Sequence, residues 1–275
     1  MSGWLSKRGG WLGVYAIVYL VFLYAPIFLL PTFAFNDSTV IAFPLQGFTT
    51  EWFSGLSGVP ALTGAVKTSL LIAVTSALLA TTLGLCAARA GVRYRFPGKG
   101  PIMGLIMVPL VLPEIIVGVS LLVVIVSILG LPLSSWTVIL GHTLICTPFA
   151  VAILNASYQS LDTSLEEAAI DLGETPASTF RLITLPLIMP GIIASLLISF
   201  TISLDEFIIA FFLTGAEPTL PVYIWSQLRF PQKLPIVMAL GTILVAASIV
   251  MLTLAEIMRR RGLKKAGKKD TGGFL

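Results

Sequence analysis

The 275 residues are 56% hydrophobic and 11% charged, with a mean hydropathy of +0.98 and a formal net charge of +4. Soluble domains carry roughly 25% charge, so a soluble enzyme or nucleic-acid-binding domain is excluded, and basic residues gathered at the ends of apolar runs read as topology signals. Within hydrocarbon only helices or closed barrels satisfy their backbone, and runs such as Ala150-Val151-Ala152-Ile153-Leu154 lack the alternation a barrel needs.

The expected fold class is therefore an all-α polytopic membrane protein. Apolar runs near 11–35, 65–89, 102–130, 135–157, 188–214 and 236–258 predict about six transmembrane helices, each long enough to cross about 30 Å. Lys7 and Arg8 precede the first run as in a signal peptide, but the run is too long and lacks a small-x-small cleavage site. It reads as an uncleaved span. The segment from Asn36 to about Thr63, with Pro44, Gly47 and Trp52, reads as a short interfacial stretch. Cys86 and Cys146 both fall inside spans, and two separated membrane cysteines imply neither a disulfide framework nor a metal cluster.

After the second span, Gly98-Lys99-Gly100 superficially resembles a phosphate loop. That pattern fails, because Arg93 stands where its first glycine belongs and Gly100 where Ser or Thr is needed. Pro109 and Pro113 interrupt the third run and Glu114 follows at once, a pattern that can open a helix N-terminus inside the membrane. Glu114 is then either the cap of a kink or part of an acidic lining for a cation. His142 is the sole histidine; zinc or triad chemistry lacks its partners, and a packed span histidine is the plainer reading.

Between the fourth and fifth runs lies a polar island, 162–187. Ser164 followed by Glu167 reads as a capping box at a helix start. Leu165, Ala168, Ala169 and Leu172 then share one apolar face, with Glu166 and Asp171 off it. Gly173 supplies a helix stop, Thr175-Pro176 a second start, and Leu185-Pro186 the end of the element. From these signals alone, an amphipathic connector lying on the membrane is as good a reading as a docking hairpin.

Asp205 and Glu206 fall in the fifth run; as helical neighbours they point about 100° apart and cannot both face one path. Intramembrane carboxylates cost roughly 2.5–3.5 kcal/mol on insertion scales and normally face a bundle interior or water. Tyr223, Trp225 and Phe230 flank the outer ends of the last two spans, as an interfacial belt or as contacts for a substrate-delivery protein. With the N-terminus inside, only Lys67, Arg229 and Lys233 of the 17 Lys and Arg lie outside, so both termini are expected in the cytoplasm. Residues 1–261 read as a single membrane domain and 262–275 as a basic flexible tail.

The spacing E-A-A-x3-G-x9-I-x-L-P, carried by Glu167, Ala168, Ala169, Gly173, Ile183, Leu185 and Pro186, resembles the loop of permease subunits of ATP-binding-cassette (ABC) importers. It lies roughly 100 residues from the C-terminus, as in that family. The stretches Ser203–Gly215, Leu220–Trp225 and Leu228–Pro231 are similar to the spermidine/putrescine-type branch. The resemblance implies a bacterial inner-membrane permease whose 164–186 hairpin, a coupling helix, transmits work from a separate ATPase. It also implies two ATP-binding subunits, a second homologous permease and a periplasmic solute-binding protein. This chain would be no enzyme and would need no cofactor of its own, with ATP and Mg held by the partner. Substrate-path candidates are Glu114, Asp205, Glu206, Tyr223 and Trp225, for a small cationic solute such as spermidine or putrescine. A permease for another small organic solute, and a secondary transporter driven by an ion gradient, are the alternatives.

Overall fold

The computed structural model describes residues 3–56 and 58–265, with side chains at 11–56, 58–250 and 253. In chain order the helices are α1 (Gly3–Ala34), α2 (Glu51–Ser54), α3 (Pro60–Arg93), α4 (Lys99–Met107), α5 (Glu114–Val123), α6 (Ser135–Gln159), α7 (Thr163–Asp171), α8 (Pro176–Thr179), α9 (Leu185–Asp205), α10 (Ile208–Leu213), α11 (Leu220–Leu228) and α12 (Leu234–Lys265). No strand occurs among the described residues, only an isolated antiparallel bridge between Asn36 and Phe48. Among the described residues five helices are long and apolar enough to cross a membrane, and the bent pair 99–110 and 114–128 brings the number to six if it is counted as one span. The fold is all-α and polytopic. The basic tail expected at 262–275 falls mostly outside the described residues; α12 itself runs on to Lys265.

By backbone contacts the chain forms two compact units, one of residues up to Val59 together with those from Ser226 onward, the other Pro60–Trp225. In the first, α1 packs along α12, with Leu30 against Gly241. The segment after α1 is more ordered than an interfacial stretch requires. Asn36 is buried, its Oδ1 accepts the Gln46 amide at 2.9 Å, and the Trp52 indole donates to its carbonyl at 2.9 Å. Phe35 stacks on Phe48 and meets Phe53 with its ring tilted.

In the second unit, α3, α6 and α9 form the packed centre. Where lipid tails are as apolar as leucine, helices associate through close backbone approach and buried hydrogen bonds. The α3 sequence supplies the first through Ala73, Ala77, Ala80, Gly84 and Ala88, all buried on one face. A Cβ at Gly84 would stand 2.7 Å from that of Ala150. Buried polar rungs supply the second. Thr81 Oγ1 meets Ser195 Oγ at 3.1 Å, and His142 Nδ1 meets Ser203 Oγ at 2.7 Å. His142 thus packs against a neighbouring span, as its isolation in the sequence suggests.

Two of the runs are broken, the third where its prolines interrupt it and the fifth without any such signal. The third turns by 103° between Leu110 and Glu114, because Pro109 and Pro113 remove amide donors and disfavour helix before them. The fifth ends as a regular helix at Asp205; Glu206 is extended (φ −67°, ψ 116°) before α10 begins. Conversely, Leu185-Pro186 does not end the hairpin. Residues 176–205 form one apolar helix, and a π turn at Phe180–Thr184 gives Pro186, which has no amide hydrogen, a widened turn to sit against.

Candidate functional site

The hairpin at 162–187 is built from local signals. Asp162 is the helix cap: its carboxylate accepts the Ser164 amide at 2.9 Å, which favours the ionised form and holds its pKa below the ordinary carboxylate range. This corrects the capping box, since Ser164 stands inside the helix and Glu167 is an exposed residue of its second turn. Asp162, Thr163 and Ser164 are all competent caps in a row, and the first one takes the role. At the other end Gly173 has φ +93°, the left-handed conformation of a helix stop. Its amide donates to Ile170 and that of Glu174 to Ala169, which satisfies the last carbonyls. Thr175 caps the return helix through the Ser178 amide, with Pro176 in its first turn.

The expected apolar face is there but bare. Ala169 is 4% exposed, while Leu165, Ala168 and Leu172 are exposed, Leu172 by 87%. Ile183 and Leu185 are half-buried at the base of the return helix and Pro186 is exposed. Glu166, half-buried, turns inward on the same side as Ala169. Its carboxylate pairs with Arg93 Nε at 2.8 Å and accepts the Thr184 hydroxyl at 2.6 Å. Neither partner could be found from the sequence, because both bonds depend on how the spans pack.

The second constellation lies at the two helix breaks. Glu114 opens α5 and is exposed. Asp205 ends α9, also exposed, while Glu206 is 8% exposed and accepts the Ile209 amide at 2.8 Å. The α5 and α10 segments pack together, Gly118 against the Phe212 ring. At the break one of the adjacent carboxylates is thus buried and the other exposed. Tyr223 and Trp225 lie on α11, half-buried and exposed respectively. Trp225 packs on Phe207, the residue after Glu206, with ring centroids 5.5 Å apart. Phe207 is thus a site neighbour that sequence periodicity alone does not mark.

The arrangement offers two things chemically: a short helix with an uncovered face, and carboxylates at paired helix breaks. Among the described residues no group of His, Cys, Asp and Glu could hold a metal ion.

Comparison with known proteins agrees on the class. Residues 80–262 match the family model described as the binding-protein-dependent transport system inner membrane component. The chain is 37% identical over 261 residues to the spermidine/putrescine transport system permease protein PotC of Escherichia coli K12, covering 94% of this chain and 96% of the relative. It is 37% identical to the putrescine transport system permease protein PotI of the same strain, covering 94% of each. The molybdenum transport system permease protein ModB of Haemophilus influenzae is 32% identical, over 74% of this chain and 96% of its own. In fold, the chain resembles one from the crystal structure of a bacterial ABC transporter involved in alginate import. The TM-score is 0.71 at 14% identity, covering 94% of this chain and 98% of that one.

Proposed function

The chain belongs to the family of binding-protein-dependent transport system inner membrane components, the permease subunits of ABC importers, and from that premise we propose that it forms the membrane path for a polyamine such as spermidine or putrescine. The observation that carries this reading is the charge inside the spans. Glu114, Asp205 and Glu206 stand at the two helix breaks, while no Lys or Arg occurs between Lys99 and Arg181 or between Arg181 and Arg229. An uncompensated acidic path attracts a cation and repels an anion. The likeness to relatives named for spermidine and putrescine points the same way, whereas the relative named for molybdenum shows that the family is not confined to one solute.

The bare face of α7 is the docking element for a separate ATPase. Glu167, Ala168 and Ala169 lie on that helix, Gly173 sets its end, and Ile183, Leu185 and Pro186 support its base. Two ATP-binding subunits, a second homologous permease and a periplasmic binding protein complete the importer, in a bacterial inner membrane with both termini in the cytoplasm. Closure of the ATPases displaces the hairpin and rocks the spans between two access states. Nucleotide hydrolysis belongs to the partner; this chain supplies the path and the lever.

The test is stimulation of ATP hydrolysis in the reconstituted complex by loaded binding protein, comparing spermidine and putrescine with neutral and anionic solutes. Polyamine-selective stimulation is expected, together with its loss and loss of ATPase co-purification in Glu167→Lys. Stimulation by a different solute would discard the polyamine and keep the importer. Undiminished co-purification of Glu167→Lys would remove α7 from the docking surface.

A further inference from the structure

Glu166 sits one residue before the exposed Glu167 and points about 100° away from it round the helix. Its Oε2 lies 2.8 Å from Arg93 Nε in the last turn of α3, and its Oε1 accepts the hydroxyl of Thr184 at 2.6 Å. Thr184 is 1% exposed and closes the π turn that carries α8 into α9. One carboxylate therefore joins the hairpin to the ends of two spans at once. The two charged side chains are only 16% and 19% exposed, so this pair is not the solvated surface kind that contributes little. Removing one member leaves the other charge poorly compensated.

A second tie runs between the same elements. Arg89, one turn before Arg93 on α3, places its guanidinium 4.3 Å from the centre of the Phe180 ring in the π turn. Below both ties, Ala88 of α3, Leu154 and Tyr158 of α6 and Ile188 of α9 form a packed cluster. The floor beneath the hairpin is closely packed. The helix on top of it is not: α7 has nine residues and one buried side chain, too short to hold its shape alone. A load on its outer face would bend it about its two turns unless something fixed it to the floor.

We propose that Glu166 is a positioning residue for energy transfer, clamping α7 to the ends of α3 and α9 so that a displacement of the docking face moves both spans together. This rests on the reading that α7 docks on the ATPase. The clamp pulls in two directions, toward Arg93 on one span and Thr184 on the other, and so resists both tilting and sliding of α7. Docking itself uses the exposed side of the helix and does not need the clamp. Binding of the ATPase and coupling of its work to transport are therefore separable properties of adjacent residues.

The full complex in proteoliposomes, with binding protein and solute, tests this by the amount of solute moved per ATP hydrolysed. Glu166→Gln and Arg93→Gln are expected to retain the ATPase subunits and basal hydrolysis. The transport-to-hydrolysis ratio should fall by about 5- to 10-fold, in the range of an ordinary coupling free energy. The exchange Glu166→Arg with Arg93→Glu restores most of the ratio, which a merely structural loss would not allow. Thr184→Val removes only a hydroxyl and lowers the ratio less; it carries the test should the charge variants fail to assemble. A wild-type ratio in Glu166→Gln, or in Thr184→Val where that variant stands in, overturns the clamp. So does an exchange variant that assembles without recovery. Glu167→Lys separates this from the docking reading: if it leaves ATPase binding intact, that reading fails; if it abolishes binding while Glu166→Gln couples fully, only the clamp fails.

Discussion

Asp205 and Glu206 show how two adjacent residues of one chemistry take different work. Glu206 is buried, and one of its oxygens accepts the Ile209 amide, one of the donors that a new helix leaves without an intrahelical partner. Its carboxylate thus holds α10 in place. Replacement by alanine should cost about 1 kcal/mol as a lost cap, and more for the disturbed packing of α10 on α5. Glu206→Ala is accordingly expected to reduce the yield of assembled complex in size-exclusion chromatography. Asp205 ends the preceding helix with its side chain exposed. Asp205→Asn keeps the shape and removes the charge, so assembly should be unchanged. The apparent KM for spermidine uptake should rise about tenfold, the factor carried by about 1.4 kcal/mol. If KM and maximum rate both stay at wild-type values, Asp205 does not face the solute.

At the scale of elements, the unit Pro60–Trp225 is held by contacts too close to tolerate a larger side chain. At Gly84 a Cβ would meet the Ala150 Cβ at 2.7 Å and the backbone of α6 at 3.0 Å, where no flexible side chain can move aside. Gly84→Leu must therefore push α3 from α6 along their whole contact, at a cost of about 1–3 kcal/mol or more as overpacking. Its expected mark is a lower thermal midpoint for the detergent-solubilised protein; an unchanged midpoint would mean that the two helices are not packed through this glycine. The same elements show what a sequence can tell. Signals that act within a few residues are legible: Gly173 does stop α7, Thr175-Pro176 does start the return helix, and Pro109 and Pro113 do break the third run. The break after Asp205 is not, because Ile202-Ser203-Leu204-Asp205-Glu206-Phe207 contains neither proline nor glycine and is set by capping and packing. Pro186 misleads in the opposite sense, since a π turn absorbs a residue that ordinarily stops a helix. The Arg93–Glu166 pair is invisible to any local rule, because its members meet only when α3, α6 and α9 have packed.

For the whole molecule, the question is whether one copy of this chain can carry solute by itself. A self-sufficient carrier driven by an ion gradient must enclose its solute between its own helices and keep its charged groups away from lipid. Here Glu114 and Asp205 are both exposed on the isolated chain. Left against hydrocarbon, each carboxylate would cost roughly 2.5–3.5 kcal/mol on insertion scales, so a path lined by them would need a second wall. A homologous permease is the partner that the importer reading supplies. The hairpin bears on the same question at the other extreme of polarity: Leu165 and Leu172 stand exposed on a short helix, a face that the importer reading covers with an ATPase. Proteoliposomes holding only this chain should therefore show no spermidine or putrescine uptake under an imposed proton or sodium gradient. Uptake should appear when the second permease, the ATPase, ATP and loaded binding protein are all present, and vanish when the ATPase is withheld. Gradient-driven uptake by the chain alone, lost in Glu114→Gln or Asp205→Asn, would instead mean that these carboxylates are ion sites of a secondary transporter and that the docking face is idle.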